Sequence, residues 1–264
     1  MRLHLFALCF FALIVTNSMA EQGQVTPAES PFRDYKDVEW VNLEGAAGQK
    51  FLTAILRPEG AGPFAVIVIL HGANGLTRDH ISLAKEMSQA GFLTVVGCWM
   101  RPLVVPKPCI EATSETDAGA EPTRNSGKEL ISFARQLPNA RPDRIGLFGL
   151  GRGGHAALWA ASTGTNVQAV VVVSPGHVPN TIVLPPKPLQ MIDTLDAPVL
   201  SIHGTEDQIS PVSQSCEYEQ AARAAKKNVT THYVEGGGHL ATMGFGSDAV
   251  LQEAITYLKA RLMK

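Results

Sequence analysis

The chain has no block of like charge. Its 22 lysines and arginines stand against 24 aspartates and glutamates, dispersed along 264 residues. No basic run is interleaved with aromatic residues, so the electrostatic footprint of a nucleic-acid binder is missing. After residue 20 no apolar stretch approaches the roughly 20 residues that a membrane-spanning helix requires. Cysteine is sparse, at four residues, and neither cysteines nor histidines recur at metal-ligand spacing on one element. Neither a metal nor a cofactor is expected.

The first segment reads as a removable export signal. Arg2 and His4 precede an apolar run from Leu5 to Val15, and Ser18 and Ala20 supply the small residues that signal peptidase favours, with cleavage after Ala20. The expected division is 1–20 signal peptide, 21–50 leader and first strand, and 51–264 one α/β domain, in a secreted or periplasmic protein. Cys9 leaves with the signal. Of Cys98, Cys109 and Cys216, the first two are expected to bridge in an oxidising compartment and close a proline-rich loop; the alternative is three ordinary thiols. After signal removal no membrane association is expected, and the sequence leaves the oligomeric state open.

Along the chain, short β-branched runs alternate with helical patterns. Strands are expected over 37–43, 51–56, 64–70, 92–96, 145–148, 167–173, 198–202 and 230–234. Helices are expected near 79–90, 125–136, 153–162, 213–226 and 248–263. Continuous runs such as Phe64–Leu70 are those of strands buried on both faces. The alternation predicts an α/β fold, with a mostly parallel central sheet and helices on both faces. Two proline-rich stretches, 98–123 and 178–188, interrupt it, and residues 21–33 read as a loose polar leader.

Four segments fall at the carboxyl ends of predicted strands, where such sheets place their active sites. They are His71-Gly72-Ala73-Asn74-Gly75-Leu76, Asp143-Arg144-Ile145-Gly146-Leu147-Phe148-Gly149-Leu150-Gly151-Arg152-Gly153-Gly154, His203-Gly204-Thr205-Glu206-Asp207-Gln208-Ile209-Ser210-Pro211 and Gly236-Gly237-Gly238-His239. In this order they resemble the α/β-hydrolase superfamily, and most closely its dienelactone-hydrolase-like branch, over roughly residues 51–263. The resemblance implies an α/β-hydrolase fold and hydrolysis of small carboxylic esters or lactones. It implies Asp207 as the acid, His239 as the base, and the backbone N–H groups of Ala73 and Arg152 as the oxyanion hole. It also identifies 149–153 as the nucleophile elbow G-x-S-x-G, with Gly151 where serine belongs.

Glycine has no hydroxyl, so it can neither attack a carbonyl nor hold an acyl group. Cys216, Ser210 and Ser174 are the substitutes within sight, none of them on an elbow. His71, His203 and His155 are read as structural. Two functions then compete. In one, His239 oriented by Asp207 activates a water, or abstracts a proton in lyase-type chemistry. In the other, the protein is a pseudoenzyme that binds an unknown ligand or partner without turnover.

Overall fold

The computed structural model describes residues 25–32, 34–35, 37–45, 50–99, 121–176, 187–240 and 248–264. The expected signal peptide, Cys109 and most of both proline-rich stretches lie outside these residues.

Nine strands among the described residues form one sheet: β1 (Val25–Pro27), β2 (Glu39–Glu44), β3 (Lys50–Leu56), β4 (Phe64–Leu70), β5 (Leu93–Gly97), β6 (Ala140–Leu150), β7 (Ala169–Val173), β8 (Val199–Gly204) and β9 (Val229–Val234). Their order is β1-β2-β3-β5-β4-β6-β7-β8-β9. The first three run antiparallel to their neighbours, and β5 to β9 are parallel. Parallel neighbours need crossovers, supplied by α1 (Arg78–Gln89), α2 (Glu121–Arg135), α3 (Arg152–Ala161) and α4 (Ser213–Ala224), with α5 (Asp248–Leu262) closing the chain.

Helices on both faces explain why β4 and β7 are almost wholly apolar. α2 and α3 pack together over β4 and β6, while α5 covers β6 and β7. At Gly146 a side chain would meet Leu258 and Leu262 of α5. At Gly97 it would meet Leu130 of α2. Both glycines therefore let a helix approach the sheet.

The structure departs from the sequence expectation in two places. Val25–Pro27, expected in a loose leader, pair with β2, which itself pairs with β3 over six residues. Residues 25–27 and 39–44 thus extend the same sheet that the domain beginning at 51 builds. β6 also starts at Ala140, not Ile145. Its first residues are polar and partly exposed, and pairing with β4 skips a register between Phe64 and Val66, so hydrophobic periodicity misses them.

Candidate active site

Because β4, β6, β7, β8 and β9 are parallel, the loops after them collect at one edge of the sheet. The four motifs lie there. β6 ends at Leu150, and α3 begins at Arg152, so the chain reverses within Gly151. Gly151 has φ 52° and ψ −113°, a left-handed φ that costs a residue with a Cβ roughly 1–3 kcal/mol. Its N–H donates to the Val173 carbonyl at 2.9 Å, and its carbonyl accepts from the His155 N–H at 3.2 Å.

The three glycines of the elbow differ sterically. A Cβ at Gly149 would stand 2.4 Å from the Gly153 carbonyl oxygen, and one at Gly153 would stand 1.8 Å from the Leu70 carbonyl oxygen. Neither position admits a side chain. Among the described residues, and leaving aside its own chain neighbours, a Cβ at Gly151 would have as its nearest neighbour His239 Nε2 at 3.5 Å, with Cε1 at 3.8 Å. That is ordinary van der Waals contact. The position that lacks its side chain is the one with room for it.

His239 faces Gly151 through Nε2 and Asp207 through Nδ1. The Nδ1–Asp207 Oδ2 distance is 2.8 Å. A carboxylate only accepts, so Nδ1 carries the hydrogen and Nε2 keeps its lone pair directed at the elbow. Asp207 Oδ1 accepts the N–H groups of Ile209 at 2.9 Å and Ser210 at 2.8 Å. Burial would raise this carboxyl, but the Ser210 N–H, His239 and the Ile209 N–H outweigh it and hold the group below the ordinary carboxylate range.

A second histidine backs the acid. His203 is fully buried, with Nε2 2.7 Å from the Ser210 carbonyl and 3.3 Å from Asp207 Oδ2. The carbonyl fixes the Nε2–H tautomer, so Nδ1 accepts the Ser215 hydroxyl at 2.7 Å. Burial pushes His203 below its ordinary value, against the raising effect of the Ser210 carbonyl and Asp207.

The acid and histidine loops are tied to each other. Thr205 N–H donates to the Val234 carbonyl at 3.0 Å, and Glu206 N–H to the Gly237 carbonyl at 2.8 Å. Gly236 N–H donates to Thr205 Oγ1 at 2.9 Å. Gly204 must lack a side chain, because a Cβ would stand 2.1 Å from the Gly237 carbonyl oxygen. On the other side, Leu240 N–H donates to Ser174 Oγ at 3.2 Å.

The loop after β4 abuts the elbow. A Cβ at Gly72 would lie 3.3 Å from the Leu150 carbonyl oxygen, and Gly75 N–H closes a turn onto the Gly72 carbonyl at 3.2 Å. This sets the residue before Ala73 against the end of β6, one residue short of Gly151. His71 anchors the loop: Nδ1–H donates to the Gly72 carbonyl at 2.8 Å, and Trp99 Nε1–H donates to the His71 carbonyl at 3.2 Å. Burial lowers His71 to about 4 and His80, packed edge-on against it, to about 3. Both are neutral near pH 7.

The substitutes for serine are accounted for by other contacts. Ser174 is fully buried and accepts from Leu240. Ser210 supports Asp207 and His203 through its backbone. Cys216 sits in α4 as a free, half-buried thiol. The supporting roles of Ser174 and Thr205 were not read from the sequence. The only signal was their place directly after strands. Cys98 is buried after β5, and Cys109 lies outside the described residues. Among the described residues no group of three or more potential metal ligands forms.

A family model described as "Dienelactone hydrolase family" matches residues 51–245. A Bradyrhizobium protein named "Probable 2-oxo-3-(5-oxofuran-2-ylidene)propanoate lactonase" is 23% identical over 214 residues, 76% of this chain and 83% of that protein. Among solved structures, the α/β-hydrolase GrgF from Penicillium superposes with a TM-score of 0.71 at 13% identity, covering 86% of this chain and 99% of that one. The acylaminoacyl peptidase of Pyrococcus horikoshii gives 0.72 at 18% identity, covering 88% of this chain and 43% of that one. At these identities the superpositions show the fold.

Proposed function

This chain belongs to the dienelactone hydrolase family, and we propose that it hydrolyses small carboxylic esters or lactones with water, not a side chain, as the nucleophile. Membership supports ester or lactone hydrolysis as the reaction class. The observation that carries the finer reading is the intact Asp207–His239 pair, whose Nε2 faces the position where a Cβ at 151 would stand.

The steps follow from the geometry. Asp207 fixes the His239 tautomer and stabilises the imidazolium that forms when Nε2 takes a proton from water. The hydroxide so generated attacks the carbonyl carbon held over Gly151. Charge develops on the carbonyl oxygen, which the Ala73 and Arg152 N–H groups are assigned to receive. Collapse expels the leaving oxygen, and His239 returns the proton to it. No acyl-enzyme forms. The substrate is a small molecule, and the chain works as an exported, secreted or periplasmic protein.

The test is p-nitrophenyl acetate and small-lactone turnover by the native chain, Gly151→Ser and His239→Ala. Native turnover above buffer is expected, falling about 10²–10⁴-fold in His239→Ala, the usual range for a general base. Gly151→Ser is expected to exceed the native rate and to accumulate an acyl-enzyme visible by mass. If native and His239→Ala are equal while Gly151→Ser is active, the chain is a pseudoenzyme, a reading that Gly151 itself favours. Ligand-dependent stabilisation would then be the property to measure.

A further inference from the structure

We propose that β9 is a dimerisation edge: two copies of this chain join β9 to β9 in an antiparallel register centred on Thr231, with Lys227 of each copy opposite Glu235 of the other. One sheet then runs through both copies. The inference is independent of the reaction assigned to the site.

Among the described residues the sheet ends in β1 on one side and β9 on the other. An edge strand carries backbone donors and acceptors that no neighbouring strand receives, and proteins blunt such edges with shortness, proline, lysine or a bulge. β1 is blunted, with three residues of which the last is Pro27. β9 is not. Its residues Val229-Thr230-Thr231-His232-Tyr233-Val234 include neither proline nor lysine and are all β-branched or aromatic apart from His232. They pair with β8 residue for residue, without a bulge. β8 is buried along its whole length, whereas every residue of β9 is half-buried or exposed.

The bonds made inward show which groups face out. Val199 N–H donates to the Asn228 carbonyl at 2.9 Å, and Thr205 N–H donates to the Val234 carbonyl at 3.0 Å. The even-numbered residues of β9 therefore turn their backbone toward β8, and Val229, Thr231 and Tyr233 turn theirs outward. Val229 N–H donates locally, to the Lys227 carbonyl at 3.1 Å. Among the described residues, the N–H and C=O groups of Thr231 and Tyr233 and the Val229 carbonyl have no backbone partner. The faces of the strand are taken: the Tyr233 hydroxyl donates to Glu219 of α4 at 2.8 Å, and His232 Nδ1 meets Glu253 of α5. What stays open is the edge.

A two-fold axis normal to the sheet sets two such edges antiparallel. A ladder needs outward residues opposite outward residues, so Thr231 can face Val229, Thr231 or Tyr233 of the second copy. Charge selects the middle choice. With Thr231 opposite itself, Val229 faces Tyr233, and Lys227 faces Glu235 at both ends. The other registers set Lys227 opposite Tyr233 or Gly237. Neither Lys227 nor Glu235 makes an ion pair with another described residue. In the selected register Thr231 exchanges both its backbone bonds with Thr231 of the second copy. Tyr233 N–H donates to the Val229 carbonyl of the second copy, so the locally held Val229 N–H is not needed.

The experiment is sedimentation velocity on the purified protein, on Lys227→Glu, on Glu235→Lys and on an equimolar mixture of the two variants. The native protein is expected to be dimeric at roughly 10 μM, the affinity of a modest interface. Either reversal places like charges opposite each other at both ends and is expected to weaken the dimer roughly tenfold. In the mixture each variant meets the opposite charge in the other, and association is expected to return. Far-UV circular dichroism of each variant separates a lost contact from a lost fold. Hydrogen exchange on the native protein decides the question without a variant: the Thr231 and Tyr233 amides are expected to slow as concentration rises, and the Val229 amide is not. A native protein that stays monomeric to about 100 μM overturns the inference. So does a dimer that neither reversal weakens, a mixture that fails to reassociate, or Thr231 and Tyr233 amides whose exchange ignores concentration.

Discussion

At residue 151 the chemistry and the sterics separate. Serine at an elbow is held in a left-handed conformation because the reaction needs its oxygen exposed. Glycine takes the same backbone without the Cβ clash. The φ of 52° at Gly151 is thus the backbone of a nucleophile carried by a residue that cannot act as one. Gly151→Ser is expected to fold and to lose roughly 1–3 kcal/mol, a few degrees of Tm. Gly153→Ala behaves oppositely. Its Cβ would stand 1.8 Å from the Leu70 carbonyl oxygen, a backbone atom that cannot rotate away. The expected loss exceeds about 4 kcal/mol, read as failure to express in soluble form or as a collapsed urea midpoint. A soluble, native-like Gly153→Ala would show that the elbow is looser than described. The sequence made this contrast partly visible. It showed glycine at 149, 151 and 153 alike, and only the packing distinguishes the two that must stay.

The elements that position the site are strands of predictable character in an unpredictable order. Phe64–Leu70 and the β7 valines announce themselves as buried strands, and Asp207 and His239 stand directly after such runs. Periodicity does not say that β5 lies between β3 and β4, nor that β6 begins in the polar segment Ala140–Arg144. It also cannot show how the loop after β8 meets the loop after β9, because that contact joins backbone groups remote in sequence. Thr205 is the side chain in that joint, accepting the Gly236 N–H. Thr205→Val keeps the shape and removes the acceptor, a change worth about 1 kcal/mol. In the Gly151→Ser background it is expected to lower kcat about tenfold with little change in KM, because His239 is held less firmly. A rise in KM with kcat intact would contradict this placement of the joint.

For the molecule as a whole, acid should be the weak direction. His71 at about 4 and His80 at about 3 are lowered by burial, so the native state favours their neutral forms. As pH falls below about 6.5, the ordinary histidine value, the unfolded chain takes up protons that the folded chain refuses. Stability is therefore full above that value and is lost as pH falls toward the folded values. Asp207, held low in the native state, adds to the same trend at lower pH. His80 is also the acceptor for the Thr77 N–H at the start of α1, a duty that glutamine performs in other capping boxes. His80→Gln is expected to keep the cap and to remove about 2 kcal/mol of the loss between pH 7 and pH 5. Parallel Tm curves for the two proteins would refute the assignment. The proposed export and Cys98–Cys109 bridge are read at the same scale. Peptide mapping of secreted protein without reductant should give a chain beginning at Glu21 and a linked Cys98–Cys109 pair, with Cys216 alkylated. Three alkylated cysteines would remove the bridge.

The steric map of the elbow also bears on the gene. A glycine codon ending in a pyrimidine is a single base from serine, wherever among 149, 151 and 153 it stands. Packing makes them unequal in outcome: serine at 149 or 153 breaks the fold, and serine at 151 restores a side chain to a place still shaped for it. A population grown on an ester as its carbon source would thus have one short evolutionary route to a serine esterase, with the return of the nucleophile confined to codon 151.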